Sequence, residues 1–278
     1  MTLGSPRLHL LRTDSTNERA RALARRGAPH GTLMTAGEQT AGRGRQGRSW
    51  SAPPGRALLM SVVLRDPPAM LPLLAAVAVC EAVDGVLAGC GATAARASPD
   101  AAARRARIKW PNDIVLERPG GEPFAGEAAG EVDGQAAGPA LAKVAGILAE
   151  GRLQEGWAIL GVGVNVAVRS GDLPPELRGR AGTLGLEPGA VEQLLVLVLD
   201  ALSERLRTPA AEILSAWRER DALLGREVRW EAGRGVAAGV DGGGRLVVAR
   251  ADGGRTTLDA GEVHLLAATR EGSRRAGH

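Results

Sequence analysis

Of the 35 lysine and arginine residues in this chain only two are lysine, Lys109 and Lys143, so 33 are arginine. A chain that uses arginine so freely keeps a lysine where a compact ammonium is required, because a guanidinium is wide and planar. Asparagine is nearly as scarce, at Asn17, Asn112 and Asn165. These residues cluster. Lys109-Trp110-Pro111-Asn112-Asp113 joins a lysine, an asparagine and a carboxylate around a proline. Lys143 heads the apolar run Val144-Ala145-Gly146-Ile147-Leu148. Asn165 follows Gly161-Val162-Gly163-Val164, with Arg169 close behind. Glycines within a strand mark a bulge or the close approach of a ligand.

A fourth segment is Gly42-Arg43-Gly44-Arg45-Gln46-Gly47-Arg48, ending at Trp50. Its glycines let backbone approach a ligand, and its three arginines are forked donors for phosphate or carboxylate. Having no apolar anchor before Trp50, the loop is expected to be mobile when empty and ordered by a ligand. It matches GxGxxG letter for letter. A dinucleotide loop must open a helix, however, and Ser51-Ala52-Pro53-Pro54-Gly55 cannot. Plainer readings exist for each segment: a solvated basic turn, an Asx turn at Asn112 or Asp113, a solvated strand end at Lys143. None accounts for where the lysines fall. The sequence has no P-loop and no Gly-x-Ser-x-Gly elbow. His9, His30, His264 and His278 have no ligand spacing, so no bound metal is expected. What remains is the chemistry of cations gathered around a carboxylate and a phosphate.

The elements that must position these groups follow from periodicity and turn signals. Asp14-Ser15-Thr16-Asn17-Glu18 opens a helix to about Gly27, with Ser15 and Glu18 at capping-box spacing. Strands are expected at 32–38 and 57–64, and a buried helix at 71–87. A strand interrupted by Pro111 is expected over 107–116, and a strand pair at 144–150 and 157–166. Helices follow at 192–207 and from Thr208-Pro209 to Leu223. Residues 117–142 read as a flexible insertion. After Gly225, five short strands (227–230, 235–240, 245–249, 255–258 and 262–266) are separated by Gly242-Gly243-Gly244 and Asp252-Gly253-Gly254, and describe a small barrel-like β module.

The bulk properties are those of a globular protein: 278 residues, 44% hydrophobic, 24% charged, net charge +4. The most apolar stretch, 69–90, carries Pro72, Glu81 and Asp84, which suits a core helix better than a membrane span. No signal peptide is read, and a cytoplasmic location is expected. Cys80 and Cys90 read as inert thiols in a reducing compartment. The positive charge is spread along the chain, without the localised patch that nucleic-acid binding favours.

In their order, Ser15-Thr16-Asn17, Glu38-Gln39, Gly42 to Arg48 with Trp50, Lys109 to Asp113, Lys143 to Ile147 and Gly161 to Val166 resemble the biotin–protein ligase family. The resemblance spans residues 13–169. It implies an α+β fold. Residues 1–224 would form a mixed sheet with flanking helices similar to class II aminoacyl-tRNA synthetases. An SH3-like barrel would follow over 225–268, then a disordered tail over 269–278. It implies ATP with Mg²⁺, biotin as substrate, and a biotin carboxyl carrier protein as acceptor. No membrane and no DNA partner is expected, and a homodimer is left open.

By the same resemblance Ser15, Thr16 and Gln39 hold the biotin head group, with Gly146 and Gly163 also against biotin. Gly42, Arg43 and Arg45 close over the adenylate. Lys143 touches the biotin carboxylate and the α-phosphate. Arg48, Trp50, Lys109, Asn112, Asn165 and Arg169 attend the nucleotide, and Asp113 lies near the incoming lysine. Three features depart from the family pattern. The first motif begins too early for an N-terminal DNA-binding domain, so repressor activity is not expected. The insertion separates motifs that normally lie close together. A tryptophan that some members set against adenine is replaced within Arg178-Gly179-Arg180-Ala181. A lipoate–protein ligase, or a basic nucleic-acid-binding module without enzymatic activity, are the competing readings.

Overall fold

The computed structural model describes residues 2–93, 105–117, 141–152, 155–173, 177, 181–259, 261 and 263–265. The expected insertion and tail lie almost wholly outside them, as do Arg178 to Arg180.

Seven strands form one mixed sheet. They are β1 (Arg7–Leu10), β2 (Leu33–Ala36), β3 (Ala57–Arg65), β4 (Ala106–Lys109), β5 (Asp113–Glu117), β6 (Leu141–Arg152) and β7 (Trp157–Asn165), in the order β1-β2-β3-β7-β6-β5-β4. β1 and β2 are parallel and every other neighbouring pair is antiparallel. The stretch expected to be one strand broken at Pro111 is two strands of a hairpin, with Lys109 opposite Asp113. Proline cannot extend a ladder, and here it turns the chain back.

Strand side chains alternate between faces, and the two faces of this sheet differ. Leu58, Met60, Val62 and Leu64 of β3 join one apolar cluster with Ala158, Leu160, Val162 and Val164 of β7. That face is covered by α2 (Leu71–Thr93) and α3 (Ala190–Arg205). In α2 every residue from Ala75 to Cys80 is fully buried. A helix apolar all round is a core helix, and each large aliphatic side chain buried this way contributes about 1.5–3 kcal/mol. Its 71–89 segment has the length and apolarity to cross a membrane, but 72% of it is buried inside the fold. Burial also pushes the Cys80 thiol up from its ordinary pKa, which leaves it inert.

Among the described residues the opposite face is packed by apolar clusters at its two ends. At one end α1 (Thr16–Arg25) sets Ala20 and Ala24 against Met34, Val63 and Ile159. At the other, Ala57 and Leu59 pack against Val168 and Leu173. Between the two ends the alternating residues are small: Ser61 on β3, then Gly161 and Gly163 on β7, with Gly146 of β6 opposite Gly163. The strand keeps its pairing and omits its side chains, which leaves a trough.

Helix α1 begins at Ser15, but no side chain caps it. The expected capping box is not formed, because Glu18 is turned outward to Arg21 and Arg43. Helix α4 (Ala210–Arg218) is shorter than expected and capped by Pro209 in place of Thr208, whose hydroxyl donates back to the Glu204 carbonyl.

A second sheet holds β8 (Glu227–Trp230), β9 (Gly233–Val240), β10 (Leu246–Ala249), β11 (Arg255–Leu258) and β12 (His264–Leu265), in the order β11-β10-β9-β8-β12. All five expected strands are present. Among the described residues they form an open sheet and not the closed barrel expected. The buried Val228, Leu246 and Val248 belong to the same apolar cluster as α2 and α3.

Candidate active site

The trough is walled by segments that the turns bring together. Thr13 pairs with Gln39, and Thr40 N and Ala41 N donate to the carbonyls of Thr13 and Asp14. This pairing sets the start of α1 beside Gln39. The Thr16 amide and hydroxyl both donate to Gln39 Oε1, at 2.7 and 3.0 Å. A backbone N–H can only donate, so the group facing Thr16 must be the Gln39 carbonyl oxygen, and the Gln39 Nε2 faces the Gly42 side. The Ser61 hydroxyl lies 2.8 Å from Thr16 Oγ1 and 2.6 Å from Asn17 Oδ1. Ser15, Thr16 and Asn17 are all buried. A Cβ at Gly161 would overlap Asn17 Oδ1, so only glycine lets that side chain in.

At the other end of the trough, Lys143 Nζ lies 2.6 Å from Asp113 Oδ1. Lys143 and Gly146 are three residues apart, and in a regular strand they would face opposite ways. β6 carries an extra residue against β5, where Ile114 pairs with Ala145 and Val115 with Lys143. A bulge of this kind re-aims the chain. Lys143 consequently reaches the glycine face, its Nζ 3.5 Å from where a Gly146 Cβ would be. The hairpin turn is pinned beside it. Asn112 Nδ2 donates to the Ile147 carbonyl and Ile147 N to the Asn112 carbonyl, at 2.9 and 3.0 Å.

The loop 42–50 closes over this end. Trp50 N donates to the Gly42 carbonyl, and Gly44 N to the Arg48 carbonyl at 2.6 Å. Gln46 takes the left-handed conformation, φ +55°, at the tip. The Trp50 indole lies on the two glycines: a Cβ on Gly163 would be 2.6 Å from its ring, and one on Gly146 3.0 Å. Its ring centroid is 5.7 Å from Lys143 Nζ. The loop therefore has an apolar anchor at its end, and an ionic one at its start, where Arg43 pairs with Glu18 and Glu150. Arg45 reaches the hairpin, 3.5 Å from Asn112 Oδ1. Its pKa is held below the usual arginine value chiefly by burial, with Arg48 adding to the effect and Asp113 opposing it. Trp50 Nε1 and Asn165 Oδ1, on side chains beside the trough, are buried without a hydrogen-bond partner. Such groups cost free energy unless a ligand completes them.

The sequence profile of the Biotin/lipoate A/B protein ligase family matches residues 10–166, which carry both ends of this trough. The chain belongs to that family. It is 32% identical to the biotin–[acetyl-CoA-carboxylase] ligase of Paracoccus denitrificans, across 91% of this chain and 98% of that one. It is 30% identical to the bifunctional ligase/repressor BirA of Bacillus spizizenii, across 88% of this chain and 70% of that one. Among solved structures it is similar to the biotin protein ligase from Aquifex aeolicus in complex with biotin and ATP. That match has a TM-score of 0.70 and 26% identity, and covers 95% of this chain and all of that one.

Within this ligase fold most of the residues singled out by type and spacing converge. Ser15, Thr16 and Gln39 form one end; Arg45, Trp50, Asn112, Asp113, Lys143, Gly146 and Gly163 form the other. Asn165 Nδ2 donates to the Gly182 carbonyl, and Gly182 N to the Lys143 carbonyl, so a short strip ties Asn165 to the lysine strand. Lys109 faces Asp113 across the hairpin, and Arg48 Nε lies 3.5 Å from the Arg45 carbonyl. Two residues stand apart. The Arg43 guanidinium is engaged by carboxylates, and the Arg169 backbone caps a turn with Asp172 at the rim. Sequence reasoning missed Ser61, Glu150 and Asn17's partnership with them. A serine and a glutamate inside otherwise apolar strands were the available signal.

Proposed function

We propose that this chain activates biotin with ATP, forming biotinyl-5′-AMP, and transfers the biotinyl group to a lysine of a biotin carboxyl carrier protein. The observation that carries the reading is the Lys143–Asp113 pair, 2.6 Å apart beside a side-chain-free floor, with the buried Thr16–Gln39 pair at the far end. Thr16, Ser15 and the Gln39 amide suit the polar head group of biotin, and Gly146 and Gly163 would take its flat body and chain once the Trp50 indole that lies on them moves aside. Lys143 would meet the carboxylate and the α-phosphate. Asn112, Asn165 and Lys109 would attend the nucleotide, which arrives with its Mg²⁺, and Arg169 would reach it only from outside the converged set.

The chemistry follows from those placements. A carboxylate oxygen attacks the α-phosphorus and pyrophosphate leaves. Both reactants are anionic, so cations must be aimed at the charge that builds on phosphorus. Arg45, Arg48 and Lys143 would supply them. Lys143 is neutralised by Asp113 in the ligand-free chain. Turning to the substrate releases that carboxylate, which can then take the ammonium of the acceptor lysine and help remove its proton. The neutral amine attacks the anhydride carbonyl and AMP leaves. Trp50 and the closed loop keep water from the intermediate meanwhile. The named relatives support biotin over lipoate as the acid. Pyrophosphate exchange into ATP on purified protein tests this. It should depend on biotin, and exchange that depends on lipoate instead would overturn the reading.

A further inference from the structure

Glu150 lies near the end of β6, on the α1 side of the trough, and carries two jobs at once. Its Oε2 accepts from Asn17 Nδ2 at 2.8 Å. Its Oε1 is 2.8 Å from an Arg21 nitrogen and 3.3 Å from an Arg43 nitrogen. Glu18 of α1 completes the arrangement, bonding the remaining nitrogens of Arg21 and Arg43. Two carboxylates and two guanidinium groups thus alternate around a ring. Each guanidinium is a planar fork that spans two partners, which a lysine could not do. Of the four, only Arg43 belongs to the 42–50 loop, and its backbone bridges to Ser49 where the loop closes.

The same Glu150 connects inward. Asn17 Oδ1 accepts from Ser61, Ser61 meets Thr16, and Thr16 bonds Gln39. A continuous run of polar contacts, through Asn17, Ser61 and the Thr16 hydroxyl and amide, joins the start of the loop to the buried Thr16–Gln39 pair.

We infer that Glu150, with Glu18, is a positioning residue for the ligase reaction: it holds the start of the 42–50 loop through Arg43, so that Arg43 serves as the loop's anchor while Arg45, Arg48 and Lys143 meet the phosphate. Two geometric facts support this. The Arg43 guanidinium is engaged by two carboxylates, and Arg45 points instead at the Asn112–Asp113 hairpin. Glu150 projects from a strand rigidly paired with β7, where it faces Ile159, which gives the anchor a fixed base. The inference deepens the ligase reading and rests on it for the identity of the reaction, although the anchor itself is a property of the ligand-free chain.

The experiment has two arms on the full-length protein. The first is hydrogen–deuterium exchange without ligand, following the loop amides of Gly44, Arg48 and Trp50, whose bonds close the loop. Glu150→Gln, Glu18→Gln and Arg43→Gln should each speed loop exchange about fivefold, as expected for losing a partly buried ion-pair network. Arg43→Gln combined with Glu150→Gln should add nothing further. Unchanged protection in Glu150→Gln and Glu18→Gln, or effects that add in the double variant, would overturn the anchor. Should Glu150→Gln unfold, the half-exposed Glu18→Gln carries the same decision. The second arm measures free biotinyl-AMP released per adenylate formed, at matched melting temperature. A rise in Glu150→Gln is expected. No rise, with faster loop exchange, would reject the positioning role. A wild type with no biotin-dependent adenylation would instead sink the ligase reading and leave the first arm to judge the anchor.

Discussion

Lys143 is a half-buried ammonium held among three neighbours. Asp113 is 2.6 Å away, the Trp50 ring centroid 5.7 Å, and the Gly146 backbone lies directly alongside. Lys143→Arg keeps the charge and widens the head. Misplacing a group by about 1 Å at a reacting centre costs on the order of 100-fold in rate, so biotin-dependent pyrophosphate exchange should fall by about that factor with the melting temperature unchanged. Activity within a few-fold of wild type would reduce Lys143 to a strand end. Gly163→Ala tests the floor: its methyl would meet the Trp50 ring at 2.6 Å. Overpacking of this kind costs about 1–3 kcal/mol, and biotin affinity by calorimetry should drop at least about tenfold. Unaltered affinity would mean that the indole moves aside without cost. Lys143 was legible in the sequence because the chain spares so few lysines. Asn17's role was not, because its partners Ser61, Gly161 and Glu150 are far away in the chain and only the sheet brings them together.

Among the elements, the loop 42–50 shows what composition can and cannot reveal. Its glycines and arginines read as an anion-facing segment. No apolar residue precedes Trp50 in the loop, and Trp50 itself supplies an anchor by lying on Gly146 and Gly163. The ionic hold on Arg43 depends on α1 and β6, which no local pattern reports. The β6 bulge was equally hidden, since the run from Lys143 to Leu148 reads as a regular strand and gains its extra residue only against β5. Arg45 bridges the loop to the hairpin at Asn112. Replacing it by glycine removes one cation and leaves Lys143 and the Trp50 anchor in place. Arg45→Gly should therefore still form the adenylate and lose it early. The sign would be labelling of lysines on a bystander protein such as serum albumin, several-fold above wild type. Labelling no greater than wild type would remove Arg45 from the closure.

At the scale of the whole molecule, the two sheets meet where the site's hairpin turns. The buried Trp110 indole donates to the Gly244 carbonyl at 3.1 Å, and Leu73 of α2 packs against the same glycine. Gly244 closes the turn between β9 and β10 with φ +80°, and a Cβ there would be 2.7 Å from Leu73 Cδ2. Asn112 and Asp113 lie just beyond Trp110, so the second sheet braces the turn that presents them. The sequence marked Gly242-Gly243-Gly244 as a turn but could not say what the turn touches. Gly244→Ala adds a left-handed penalty of about 1–2 kcal/mol and a clash, and should loosen the brace without reaching the Thr16–Gln39 end of the trough. The expected result is pyrophosphate exchange slowed on the order of tenfold in kcat, with KM for biotin little changed. Because one apolar cluster spans both sheets, the variant and wild type should each unfold in urea in a single transition. A raised KM for biotin with kcat intact would mean that the second sheet serves the acid's pocket and not the hairpin. Two separated transitions would mean that the sheets stand apart in energy despite sharing a core.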